Sequence, residues 1–228
     1  MMIHFRRHGK GHALGGAMPR RSRARSGSRA IPREEKRDQK RERILLGAIE
    51  AFAAGGFHRT RVSDVARAAG VADGTIYLYF ANKNELLGAI FENAMERFHR
   101  AGDGFVLAVD DPVEQLRRLV ETQLRLVGQN RQLAAVFQID LRHSAHFLGE
   151  LSRTALAPHF EFTAGIIQRG QDRGAFSREL EPMQAATMIF GVLDQLATQW
   201  VLSRRNYRLE TQAPAAAGFV LRALGVTT

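Results

Sequence analysis

Asp73, Thr75, Tyr77, Tyr79 and Lys83 fall within eleven residues, and their side chains could meet a nucleic acid. The hydroxyls of Thr75, Tyr77 and Tyr79 can reach phosphate oxygens, and Thr75 can also touch a thymine methyl. Asp73 has two readings: it accepts from a cytosine amine in the major groove, or it caps the helix that begins there. Gly74 leaves no side chain between that helix and a phosphate backbone, and Leu78 lies on the same outward arc. Lys83 falls in the first turn of a following helix, where a cation and a positive helix end together favour phosphate. Other chemistries are poorly served. His143 and His146 lie three apart, with His99 and His159 scattered, and a metal site wants a third ligand and support behind it. No Ser/His/Asp order, paired acids or phosphate-cradling glycine loop stands out, so neither an enzyme nor a cofactor is expected.

These residues need a helix with one face to pack and one to present. Over Asp73–Phe80, Ile76 and Phe80 lie four apart on a buried stripe, and Asp73, Thr75, Tyr77, Leu78 and Tyr79 fan around the rest. Eight helical residues span about 12 Å, the width of a major groove. Just before, Val62, Val65, Ala66 and Ala69 recur at three and four, and Gly70-Val71-Ala72 makes a turn. Helix, glycine-containing turn, helix is the form in which the second helix enters the groove and the first braces it. A helix over 38–54, carrying Ile44, Leu45, Ala48, Ile49, Phe52 and Ala53 and ended by Gly55-Gly56, completes a three-helix module.

At these residues the chain resembles the TetR family of bacterial transcriptional repressors. The resemblance runs from about Arg43 to Phe91: Ile44-Leu45-Leu46-Gly47-Ala48, Ala51-Phe52, Gly55-Gly56-Phe57, Val65-Ala66, Ala69-Gly70-Val71, Gly74 to Phe80, Asn82-Lys83 and Leu86-Leu87. It implies that Ser63, Asp73, Gly74, Thr75, Tyr77, Leu78, Tyr79 and Lys83 face double-stranded DNA, with Lys83 as the family's phosphate-clamping lysine. One departure is Arg61, where the family has a capping Thr or Ser. Arginine cannot accept that bond, so Thr60 is expected to cap one residue early.

The chain has 228 residues, 45% of them apolar, a formal charge of +10 and no cysteine. Disulfides and thiolate metal sites are thereby excluded. No apolar run approaches the ~18 residues of a membrane span, and a cytoplasmic protein is expected. Residues 1–37 hold eleven Lys and Arg against Glu34 and Glu35, so nearly all the excess charge sits there. That stretch lacks apolar periodicity and is expected to be a disordered tail. It is either a basic arm adding phosphate contacts or a solvated extension, with Met18 as an alternative start.

The remainder reads as helices. Asn82-Lys83-Asn84-Glu85 has capping-box form and opens a helix to about Arg100. Gly102-Asp103-Gly104 and Asp110-Asp111-Pro112 break the pattern, and further helices cover about 112–128, 131–145, 147–173, 183–204 and 211–224. The expected fold is all-α: a helix-turn-helix DNA-binding domain over 38–83 and an effector-binding and dimerisation domain over 84–228. The segment Met188 to Leu196, with Trp200 beyond, is similar to a late helix of the TetR-type fatty-acid-degradation repressors, which respond to long-chain acyl-coenzyme A. That similarity implies an acyl tunnel lined by Phe105, Phe137, Phe190, Leu193 and Trp200, with Arg117, Arg118, Arg125, Arg142 or Arg169 at the coenzyme phosphates; the same aromatics also suit a plain core. Asp194, a carboxylate in an apolar run, faces the ligand, caps a cavity or pairs across a dimer seam. A homodimer is expected, with Gly191, Ala197, Ala216 and Gly218 letting the last two helices approach a second copy in a four-helix bundle. The expected function is a repressor that binds a palindromic operator and is released by a small effector. Alternatives are a regulator answering drugs or aromatic compounds and a helical small-molecule binder without specific DNA binding.

Overall fold

The computed structural model describes residues 32–140 and 156–227, and no strand occurs among them. Helix α1 spans Arg33–Gly55, beginning five residues earlier than the periodicity predicts. Pro32 at its start supplies a fixed φ and needs no N–H partner, and Glu34 and Glu35 in the first turn complement the helix dipole. Residues 33–37 are therefore helix rather than tail; residues 1–31 lie outside the described residues.

Helix α2 (Val62–Ala69) packs on α1, α3 (Asp73–Tyr77) packs on α2, and α4 (Lys83–Ala101) follows. Asn82 caps α4 by accepting from Glu85 N at 2.9 Å, and the Glu85 carboxylate accepts from Ala81 N. At Gly102 the helix does not break. It continues as one π-helical turn, Gly102–Val106, closed by Leu107 N donating to Gly102 O. The break comes after it, and Asp111 with Pro112 starts α5 (Pro112–Gly128), the Asp111 carboxylate accepting from Val113 N and Glu114 N. Then come α6 (Arg131–Ala135) with a π-turn Val136–Asp140, α7 (Ala157–Asp172), α8 (Pro182–Leu202), a 3-10 turn Leu209–Gln212 and α9 (Ala213–Ala223). The helices expected over 131–145 and 147–173 run partly outside the described residues.

Two apolar cores divide the chain. The first gathers Ile44, Phe52, Val65, Ile76 and Phe80 with Leu86 to Phe91 of α4, and reaches across to Val136. The second lies between α5, α7, α8 and α9 around Leu116, Ile166, Ile167, Leu193 and Leu221. The first half of α4 thus belongs to the N-terminal core. The packing divides at about Phe91 rather than at Asn84, because Leu86, Leu87 and Ile90 cover the underside of the three-helix module.

Candidate nucleic-acid interface and effector cavity

The turn between α2 and α3 is set by backbone chemistry. Gly70 adopts φ 63°, ψ 42°, and its N–H donates to Arg67 O while that of Val71 donates to Ala66 O, the paired bonds of a Schellman motif. Arg43 on α1 donates to Ala69 O at 3.0 Å and Gly70 O at 3.3 Å, tying the turn to the helix behind it. At the start of α2 the structure corrects the expected cap. Arg61 is the cap residue, and its backbone N–H donates to the Asp64 carboxylate at 2.9 Å. The Thr60 hydroxyl turns inward, 2.8 Å from Gly56 O, and caps nothing.

Ile76 and Phe80 anchor α3 in the core at 2% exposure each. Tyr77 and Leu78 stand out at 58% and 76%, with Asp73 and Gly74 exposed beside them. Thr75, Tyr79 and, in the first turn of α2, Ser63 are half-buried, and Tyr79 packs against the core. The α-helix is shorter than predicted. Its five residues cover about 7.5 Å, because Leu78 N and Tyr79 N turn to carbonyls three residues back and the chain tightens. Asp73 does not cap: Ala72 is the cap residue, and no side chain bonds the open N–H groups. Nothing lies within 4 Å of where a Cβ on Gly74 would stand. The presented arc is thus Asp73, Gly74, Tyr77 and Leu78, with Arg59, Arg61 and Arg67 exposed around it.

Lys83 is engaged within the protein. Its ammonium donates to Phe57 O at 2.5 Å and to His58 O and Thr60 O at 3.2 Å each, and stands 4.4 Å from the Phe57 ring centroid. Three donors meeting three carbonyls make it a clamp on the loop leading into α2. Lys83→Met should therefore cost about 1 to 3 kcal/mol of stability by stripping those carbonyls. The salt dependence of operator binding should stay as in the wild type, whereas loss of a phosphate contact would lower the slope by about one. Thermal unfolding with binding at several salt concentrations separates the two.

Between α4, α5, α6, α7 and α8 lies a mainly apolar cavity of about 550 Å³, within the usual ~300 to 1,000 Å³ of ligand pockets. Phe137, Phe190, Leu193 and Asp194 line it, together with Phe91, Met95 and Phe98. Phe105 and Trp200 do not. Phe105 is 43% exposed beneath the Arg118 guanidinium. Trp200 is buried at the end of α8, its indole N–H donating to Tyr207 O at 2.8 Å. Arg131 lies over the Trp200 ring and donates to the Trp200 and Val201 carbonyls, so the pair locks a helix end. The expected phosphate arginines are otherwise engaged: Arg117 and Arg118 with Glu114, Arg169 with Gln115. Arg125 is exposed but does not line the cavity, and Arg142 lies outside the described residues. Arg97, which is not among those candidates, lines the cavity instead. Arg97 and Leu126 also line an adjoining recess of about 530 Å³ with Arg100, Asn93 and Glu42. No trio of His, Asp or Glu able to hold a metal occurs among the described residues; His143 and His146 lie outside them.

His159 sits in the cavity wall at 3% exposure. Burial, with a smaller contribution from the charge of His99, holds its pKa down to about 4. The unfolded chain takes up this proton near pH 6.5, so the folded state loses stability as pH falls from about 6.5 to about 4. The loss attributable to His159 is about 3 kcal/mol. Denaturant titrations of wild type and His159→Phe across that window should diverge toward the wild type's disadvantage as the buffer is acidified.

Residues 44–90 match the family described as bacterial regulatory proteins, tetR family, and residues 91–223 match the YsiA-like protein, C-terminal region. The chain is 33% identical over 167 residues to the fatty acid metabolism regulator protein of Bacillus subtilis (strain 168), covering 73% of this chain and 86% of that protein. The chain belongs to the TetR family. Among solved TetR-type structures it is similar to the fatty acid degradation regulator FadR from Bacillus halodurans, with TM-score 0.77 and 33% identity over 82% of this chain and 97% of that one. It is also similar to FadR from Bacillus subtilis in complex with stearoyl-CoA, with TM-score 0.74 and 30% identity over 79% and 97%. Membership in the TetR family makes the α2–turn–α3 unit a DNA-binding helix-turn-helix. No helix among the described residues is long and apolar enough to cross a membrane.

Proposed function

We propose that the protein is a dimeric cytoplasmic repressor that binds a palindromic operator through Asp73, Gly74, Tyr77 and Leu78 and is released by a long-chain acyl-coenzyme A. The observation that carries the effector reading is the apolar cavity adjoining, at Arg97 and Leu126, a recess lined by Arg97 and by Arg100, whose pairing with Glu96 is solvent-exposed and readily exchanged for a phosphate. A hydrocarbon chain suits the first space, and the coenzyme phosphates suit guanidinium groups at the second. The stearoyl-CoA bound by the Bacillus subtilis relative supports the same class of ligand.

The dimer seam follows from what α8 and α9 leave exposed: Met183, Met188, Gly191, Leu202 and Phe219. An apolar row of this kind marks an interaction face, and an isologous contact with a second copy covers it. Gly191 has nothing within 4 Å of an added Cβ and leaves room for a partner helix. Ala197 and Ala216 are buried within the protomer and drop out of the seam, and Gly218 is half-buried.

Calorimetry with palmitoyl-CoA, free coenzyme A and resorcinol tests the effector class. Heat is expected with palmitoyl-CoA, and its addition should weaken operator binding about five- to 150-fold. Heat with resorcinol and none with palmitoyl-CoA would transfer the protein to the aromatic-responsive class.

A further inference from the structure

Among the described residues, two polar side chains in the effector cavity have a buried polar atom without a hydrogen-bond partner. His159, the third residue of α7, meets the rings of Phe98, Phe160 and Phe190 edge-on, with centroids 4.9, 5.8 and 5.6 Å away. Its Nδ1 is buried with no hydrogen bond, and among the described residues no hydrogen bond reaches the ring. Gln123 on α5 is 9% exposed, and its Oε1 is likewise buried and unpartnered. Buried polar groups are nearly always bonded, so two exceptions in one cavity wall call for an explanation.

Their position narrows it. Gln123 lies one helical turn before Leu126 on α5, about 5 to 6 Å between Cβ atoms. His159 packs on Phe98, the residue after Arg97. Leu126 and Arg97 form the junction between the cavity and the arginine-flanked recess. The two unpartnered groups therefore sit just inside the mouth, where a hydrocarbon chain joins its headgroup.

We infer that His159 and Gln123 form a carbonyl site for a thioester as the acyl chain runs inward and the coenzyme outward past Arg97: His159 donates its Nδ1–H, and the Gln123 amide turns over so that its NH2, in place of the buried Oε1, donates to the same oxygen. The inference rests on the acyl-coenzyme A reading above. A thioester oxygen has lone pairs for two donors, and a neutral imidazole and a primary amide each supply one. A free fatty acid would bring a carboxylate against neutral donors and three phenylalanine rings, a costly burial without a counter-charge. An alkyl group would leave both donors unpaired. The ring is neutral at pH 7, because burial holds its pKa to about 4. The site thus selects activated acyl groups over free acids of the same length.

Calorimetry with palmitoyl-coenzyme A and its thioether analogue hexadecyl-coenzyme A, which lacks only the carbonyl oxygen, tests this. Wild type should prefer the thioester by about 10- to 100-fold, as two hydrogen bonds imply. In Gln123→Leu and His159→Phe the preference should shrink, and in the double variant it should fall to about twofold or less. His159→Gln, which keeps a donor, should recover part of it, and Gln123→Leu alone carries the test if the histidine variants fail to fold. Equal binding of both ligands by the wild type overturns the carbonyl site and leaves the effector class standing. Absence of binding by both removes the effector class and the site together. A full preference retained in Gln123→Leu or in the double variant also overturns the assignment.

Discussion

Gly47→Val is expected to reduce operator affinity by a factor on the order of 10² or more while the C-terminal half stays folded and binds acyl-coenzyme A within about threefold of wild type. Gly47 lies in the middle of α1, against the end of α2. A Cβ there would stand 2.5 Å from Ala69 N and 2.8 Å from Ala69 Cα. These are backbone atoms of the turn that aims α3, and Arg43 binds that same turn through Ala69 O and Gly70 O. No side chain can swing aside, so α1 and α2 must separate. Overpacking of this kind costs about 1 to 3 kcal/mol and sometimes more. Alanine at the same site regains up to about 1 kcal/mol of helix propensity, so Gly47→Ala should be the milder of the two. Valine adds two methyl groups and regains little. Neither Gly47 nor Ala69 lines the cavity, whose wall includes Leu124, Val127, Ala134, Leu193 and Ala197 of the C-terminal core, so acyl binding is separable from the aim of α3. Operator binding by anisotropy, with far-UV dichroism and calorimetry as controls, checks it; a Gly47→Val protein with wild-type operator affinity would show that the two helices tolerate the wider spacing.

Gly47 also illustrates what local pattern reveals and what it does not. The apolar stripe Leu116, Leu119, Val120 and Leu124 announces α5, and Asp111-Pro112 announces its start, because period and cap are properties of neighbouring residues. The same holds for Gly70, whose left-handed turn is legible from a glycine placed between two amphipathic segments. The close approach of α1 to Ala69 involves residues 22 positions apart, and nothing in the spelling around Gly47 carries it. The cavity is harder still. Phe137, Phe190, Phe105 and Trp200 look alike as aromatics in helical segments, yet two line the space, one is exposed and one is sealed under Arg131. Whether inward faces meet or leave a gap is decided by five helices at once. Lys83 and Arg97 show the same limit for charge. The first meets three carbonyls of a distant loop, and the second stands at a cavity mouth that it shares with Leu126 of α5, a residue far from it in sequence.

Phe137→Ala should uncouple the two halves: at saturating palmitoyl-CoA, the five- to 150-fold loss of operator affinity expected of the wild type should shrink to about twofold. Phe137 borders the cavity and packs against the N-terminal core. Its ring meets that of Phe91, a member of that core, edge-on at 5.2 Å. Leu133 and Leu156 share both environments, and Val136 between them is fully buried in the N-terminal core. An acyl chain that moves the Phe91–Phe137 pair therefore presses on the packing beneath α1 and α4, and close-packed interiors pass on such displacements rather than absorb them. Removing the Phe137 ring leaves space that takes up the displacement. Because Phe137 is only half-buried, the variant should lose less than the ~3 to 5 kcal/mol of a fully buried phenylalanine. Leu193→Ala is the informative contrast. Leu193 lines the same cavity but belongs to the C-terminal core, so its truncation should weaken acyl binding yet leave the coupling at saturation near the wild-type value. Operator titrations with and without ligand distinguish them. If Leu193→Ala abolished the response and Phe137→Ala kept it, the signal would have to leave the cavity through α8 instead of through the aromatic pair under the reading head.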